Sequence, residues 1–111
     1  MEGTMPDLHK ESAPVEFAKA IADSTRQKIM KFCCCDWRSV TDIVDHMRVT
    51  QPTVSHHLAI LRDAGLVDMR HEGKQTFYRL DQKRIVNCCG VLEHTFAPGE
   101  EDVHAPERTR R

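Results

Sequence analysis

Apolar positions recur at helical spacing through most of this chain, and the clearest case lies between Thr50 and Gly65. Val54, Leu58 and Leu61 fall four and three residues apart and define one apolar face. The opposite face carries Gln51, Thr53, Ser55, His56 and Arg62. These are donors and acceptors of the kind that reach base edges and phosphates. Thr50 stands where a helix cap is needed, and Pro52 falls in the first turn, where its missing N–H costs nothing. Gly65 is positioned as a left-handed cap. Upstream, Val40–Met47 predicts a second short helix with Val40, Ile43, Val44 and Met47 on one face. Arg48-Val49 joins it tightly to the first, which is helix-turn-helix spacing. Downstream the period changes. Val67 and Met69 alternate with polar residues, Glu72-Gly73 supplies a turn, and Phe77 and Tyr78 favour strand. A hairpin directly after a recognition helix is a wing, and Arg70, Lys74, Gln75 and Arg79 lie on or near it.

The flanking segments are also helical in pattern. Pro14 to about Ala22 presents Val15, Phe17, Ala18 and Ile21. Ser24 is placed to cap a second helix running to about Cys34, with Ile29, Met30 and Phe32 inward. Asp36-Trp37-Arg38-Ser39 reads as a loop. Gln82 to about Thr95 predicts a last helix with Ile85, Val86, Cys89 and Leu92 as its apolar stripe. Residues 1–13 and 97–111 are polar and rich in proline and charge, which reads as two flexible tails around a domain at 14–96. The fold class predicted is mainly α with a small β-hairpin wing, a winged helix-turn-helix.

At 111 residues the chain is sized for one domain with a modest core, and would gain from a dimer partner. The formal net charge of −1 does not by itself suggest a nucleic-acid binder. Its distribution does. Arg48 to Arg84 holds seven Lys/Arg against four Asp/Glu, while the rest holds nine against thirteen. The basic excess falls on the candidate DNA face. No stretch is apolar enough to span a membrane and no signal peptide is visible, so the expected location is the cytoplasm, where thiols stay reduced.

Taken together, Asp23-Ser-Thr-Arg26, Val54-Ser-His-His-Leu58, Leu61-Arg-Asp-Ala-Gly-Leu-Val67 and Gly73-Lys-Gln followed by Tyr78-Arg-Leu80 resemble the ArsR/SmtB family of bacterial repressors. The resemblance spans roughly residues 14 to 95. It implies a homodimer built on the first and last helices, which binds double-stranded operator DNA until an inducer releases it. The reading residues are then Thr50, Gln51, Thr53, Ser55, His56 and His57 in the major groove. Arg62, Arg70, Lys74 and Gln75 contact backbone or minor groove. DNA binding itself needs no cofactor.

The five cysteines are the second signal: Cys33-Cys34-Cys35 at the end of the second helix and Cys88-Cys89 on the last. Helical neighbours point about 100° apart, so a triplet cannot all face a core. Thiolates bind soft ions such as Cd²⁺, Pb²⁺ and Hg²⁺, and trivalent arsenic. A trigonal arsenic site requires three sulfurs to converge, either at a freed helix end or between the triplet and the last helix. The thiol pattern of many metal-sensing members falls here on Arg38-Ser39-Val40-Thr41-Asp42, which holds no cysteine. The family's zinc site on the last helix meets Asp81-Gln-Lys-Arg84, with basic residues where a ligand is needed, so zinc is disfavoured. A branch of the family that senses oxidation or reactive sulfur bridges a cysteine of the second helix to one of the last, and this is the competing reading.

Other classes fit less well. His9, His46, His71 and His104 are scattered, and no cysteine pair is followed by a suitably spaced histidine pair, so a zinc finger is not indicated. Nucleophilic catalysis by a Cys–His pair would need an orienting group that the sequence does not offer. A winged helix serving as a protein-binding module would not need the polar row from Gln51 to His56.

Overall fold

The computed structural model describes residues 13–99. The proposed tails at 1–13 and 97–111 lie outside these residues, apart from Ala13 and 97–99. The elements in order are α1 (Ala13–Ile21), α2 (Ser24–Phe32), β1 (Arg38–Ser39), α3 (Val40–Met47), α4 (Gln51–Asp63), β2 (Val67–Glu72), β3 (Gln75–Leu80) and α5 (Gln82–Phe96). No described helix is long and apolar enough to cross a membrane.

Local chemistry explains most boundaries, though not always through the expected residue. Asp23, not Ser24, caps α2: its backbone is extended and its carboxylate accepts from the Arg26 N–H at 3.0 Å. A carboxylate is the stronger acceptor, and that hydrogen bond holds its pKa below the ordinary 3.8. α2 stops at Phe32, short of the cysteines, with the Cys33 N–H closing on Ile29 O at 2.9 Å. Ser39 caps α3 through a 3.0 Å bond from Asp42 N. α3 closes on Arg48 in the left-handed region (φ 61°), so the tight turn between the two helices rests on a non-glycine left-handed residue. Thr50 occupies the cap position of α4, but its hydroxyl bonds the Thr53 hydroxyl at 2.9 Å and caps no backbone N–H. At the other end Gly65 N bonds Arg62 O and Leu66 N bonds Leu61 O, both at 2.9 Å. With Gly65 at φ 75° this is a Schellman closure, as its sequence position suggests.

Two corrections concern the sheet. The segment read as a loop contains β1, which pairs antiparallel with β3 (Arg38 opposite Tyr78, Ser39 opposite Phe77) and gives the order β1-β3-β2. Two residues are too few to show a strand period. The wing turn lies one residue later than expected. Glu72 pairs with Gln75, leaving Gly73-Lys74 as the two-residue loop. Gly73 carries the positive φ of 62° that a hairpin's first loop residue needs.

Val54, Leu58 and Leu61 of α4 point into a core completed by Ile29, Ile43 and Leu66. Along the wing only Val67 of β2 and Tyr78 of β3 are buried; Met69 is exposed, so the rest of the hairpin projects from the body. On α5 the buried stripe is Cys88 flanked by half-buried Ile85 and Leu92, where the helix packs on α1. The expected stripe is therefore rotated: Val86 (71% exposed) and Cys89 face outward. Val15 on α1 and Phe96 (78% exposed) on α5 are also uncovered in the single chain.

Candidate nucleic-acid interface and thiol pair

α4 presents Gln51, Thr53, Ser55, His56 and Arg62 to solvent, with Thr50 at its start. None of these side chains is needed by the core. A groove of about 300 Å³ runs between α3, the first residue of α4 and the tip of the wing; Gln51, Lys74 and Gln75 line it together. The groove thus brings three of the residues expected to contact DNA, Gln51, Lys74 and Gln75, to one place.

His57 departs from that expectation. Its ring turns inward and its Nδ1 lies 3.0 Å from the Arg26 guanidinium. A guanidinium has only donors, so Nδ1 accepts and the ring is neutral. Arg26 also donates to Ala20 O at 2.7 Å and Lys19 O at 3.2 Å. With Asp23 on the Arg26 N–H, these bonds tie α1, α2 and α4 together, which gives the Asp23–Arg26 motif a structural role. Burial chiefly depresses the His57 pKa below 6.5, with the Arg26 and His56 charges adding to it and Asp23 opposing. A depressed folded value means that the neutral ring's contribution is complete above the unfolded value. It is lost as pH falls through the folded one. Urea midpoints should therefore fall between about pH 7.5 and about pH 5, and His57→Gln should flatten that slope. An unchanged slope would remove the assigned role.

The wing arginines are held by an aromatic that the sequence did not single out. Trp37 has the Arg70 guanidinium 4.4 Å and the Arg79 guanidinium 4.6 Å from its ring centre. Arg70 also pairs with Glu72 at 2.9 Å. Trp37 went unnoticed because it lies in the apparent loop, and only the β1–β3 pairing brings it beside the wing. Arg62 makes a looser contact, 3.8 Å to the Met69 sulfur.

The cysteines do not act as a unit. Cys33 is fully buried, and burial pushes its thiol up to about 11, against a weaker opposing effect of Arg38. Cys34 and Cys35 are joined sulfur to sulfur. Cys88 is buried and Cys89 exposed. Among the described residues no three His, Cys, Asp or Glu side chains gather as a metal site, so the expected three-sulfur convergence is not assembled within one chain. The triplet nevertheless occupies a junction. Leu80 N donates to Cys33 O at 2.9 Å, and Gln82 Nε2 donates to Cys34 O at 2.7 Å. Gln82 Nε2 also lies 3.9 Å from Cys35 Sγ. The end of the wing and the start of α5 are both fastened to this segment.

A short helix with an exposed polar face, packed on a helix-turn-helix partner and followed by a projecting basic hairpin, defines a winged-helix DNA-binding protein. Residues 23–69 match the bacterial regulatory protein, arsR family. The chain is 30% identical over 99 residues to the arsenical resistance operon repressor of Escherichia coli, covering 83% of this chain and 80% of that protein. It is 34% identical over 83 residues to a probable mercury resistance operon repressor of Streptomyces lividans, covering 75% of this chain and 66% of that one. Among solved structures it is similar to HlyU from Vibrio cholerae, with a TM-score of 0.65 at 28% identity over 78% of this chain and 95% of that one. The chain belongs to the ArsR family of winged helix-turn-helix transcriptional regulators. Its work is regulation of transcription, not catalysis.

Proposed function

We propose that this protein is a cytoplasmic homodimeric repressor that leaves its operator when accessible cysteines take up trivalent arsenic or a soft metal ion such as Cd²⁺, Pb²⁺ or Hg²⁺. The observation that carries the reading is the position of the Cys33–Cys35 segment, whose Cys33 carbonyl accepts from the wing's end and whose Cys34 carbonyl accepts from Gln82 at the start of α5. Residues 14–96 act as one DNA-binding and dimerisation domain. A second copy covers Val15, Val86 and Phe96, the apolar side chains that α1 and α5 leave exposed. A ligand at the cysteines then moves α5, and with it the dimer axis, relative to the reading heads. Two half-sites fixed by DNA pitch tolerate little re-angling. The names of the arsenical and mercury relatives support the inducer class.

The test is binding to DNA upstream of its own gene under anaerobic reducing conditions, titrated with arsenite, Cd²⁺, Pb²⁺, Hg²⁺ and Zn²⁺. Release by thiophilic ions and not by Zn²⁺ is expected. A second reading, thiol oxidation, is favoured by the sulfur–sulfur bond of Cys34 and Cys35, although that bond joins neighbours and does not bridge α2 to α5. Release by an oxidant or persulfide donor alone would replace the metal reading with this one.

Trp37 serves the interface indirectly. By stacking on Arg70 and Arg79 it limits the freedom those side chains lose on meeting phosphate, each contact being worth about 0.5–1 kcal/mol. Trp37→Ala should weaken DNA binding several-fold, read by fluorescence anisotropy, without changing sequence preference. Unaltered affinity would make the stack ornamental to binding.

A further inference from the structure

One basic cluster of this protein lies off the DNA face. Lys28 and Lys31 of α2 and Arg38 of β1 precede the Arg48–Arg84 stretch that carries the reading helix and the wing, yet they line one pocket between α2 and α3. The pocket measures about 620 Å³, within the ~300–1,000 Å³ of small-molecule sites. Phe32 and Met47 give it an apolar wall, and His46 adds an imidazole. Among the described residues no aspartate or glutamate lines it, although the chain as a whole carries a net charge of −1.

Arg38 is fixed rather than free. Its Nε donates to Phe32 O at 3.0 Å, and its guanidinium carbon lies 4.3 Å from the Phe32 ring centre. Its Nη2 makes only a loose 3.8 Å pair with exposed Asp36, and its Nη1 has no partner among the described residues. A guanidinium held with one edge open is suited to a carboxylate, which it meets through two parallel hydrogen bonds. The wall beside it is flat. The His46 ring stacks on Phe32 with 3.9 Å between centres and 4° between planes. Two groups that close to one ring centre take its opposite faces, so Arg38, Phe32 and His46 form a ladder of planar groups. Its outer rungs are a guanidinium and an imidazole, both of which stack on aromatic rings.

A bare oxyanion, DNA phosphate included, uses the cations and leaves the apolar wall idle. A neutral aromatic uses the wall and leaves three cations unanswered. We propose that the pocket between α2 and α3 binds a small planar aromatic carboxylate, with its charge on Arg38, Lys28 and Lys31 and its ring against the ladder and Met47. Binding is noncovalent and uses no thiol, so it stands apart from the inducer reading above. Such a ligand bridges α2 to α3, the helix against which the reading helix α4 packs.

The probe is 2-naphthoate, titrated calorimetrically into the reduced full chain free of metal and arsenic, beside 2-naphthalenemethanol and inorganic phosphate. One naphthoate per chain is expected, with the alcohol and phosphate each weaker by about tenfold or more. Amide shifts should centre on Lys28–Phe32, Arg38 and His46–Met47. Arg38→Gln should weaken naphthoate by about tenfold or more. Because Arg38 also holds the Phe32 carbonyl, Lys28→Gln/Lys31→Gln separates binding from folding. Both lysines are exposed, and the double variant should lose naphthoate affinity several-fold at unchanged thermal stability. Equal binding of naphthoate and the alcohol would mean an apolar surface with no choice of anion, and would overturn the proposal. Equal binding of phosphate would do the same, as would shifts centred on Val86 and Phe96 of α5. If the parent ignores naphthoate while the double lysine variant loses operator affinity and salt dependence, these cations belong to DNA and the proposal falls.

Discussion

Alanine at both Gln51 and His56 should reduce operator affinity by about 2–6 kcal/mol, since a good base-edge contact carries about 1–3 kcal/mol of discrimination. Both side chains are exposed on α4 and make no contact that the core requires. Thermal stability should therefore stay as it is, which separates loss of recognition from loss of fold. What remains should be the salt-sensitive, sequence-independent attraction of the wing for phosphate. The measurement is anisotropy on operator and unrelated duplexes at two salt concentrations. A double variant that still prefers its operator would show that α4 is not the reading helix.

Leu61→Ala should be the most destabilising single change on the same helix. Leu61 is fully buried, and it lies within the turn that the Gly65 closure fastens through the Leu66 N–H. Truncating a buried leucine costs about 2–5 kcal/mol through lost transfer energy and an unfilled cavity. Stability of order 0.05–0.15 kcal/mol per residue leaves a domain of this size only a few such increments. A large drop in the urea midpoint is expected, with DNA binding lost only as the fold is lost. A variant as stable as the parent would mean that the α4 interior repacks freely.

The helix-turn-helix was legible because its apolar period, its closing Gly65 and its spacing all agree over a long enough run. Val54, Leu58 and Leu61 face inward as the spacing requires. Pairwise chemistry across elements was not legible. His57 looks like a second reading histidine until α2 brings Arg26 beside it. Trp37 looks like a loop residue until a two-residue strand pairs with β3. The stripe of α5 was half right: Ile85 and Leu92 pack on the core with Cys88 between them, while Val86 and Cys89, apolar enough to suggest a core, are left outside by the single chain. A dimer-forming helix carries two apolar faces, and periodicity alone does not say which faces its own chain. The cysteine triplet suggested convergence by number, whereas burial divides it into one core thiol and one accessible pair.

Hydroxyl-radical footprinting on DNA upstream of the gene tests the central claim most directly, with and without a thiophilic inducer under reducing conditions. A dimer reading DNA with α4 should protect two patches on one face of the duplex, about 34–36 Å apart or a multiple of this. Inducer should erase both patches together in the parent and leave them in the Cys34→Ser/Cys35→Ser variant. Protection that is absent, confined to one patch, or indifferent to every thiol-directed reagent would contradict a dimeric repressor governed by its cysteines.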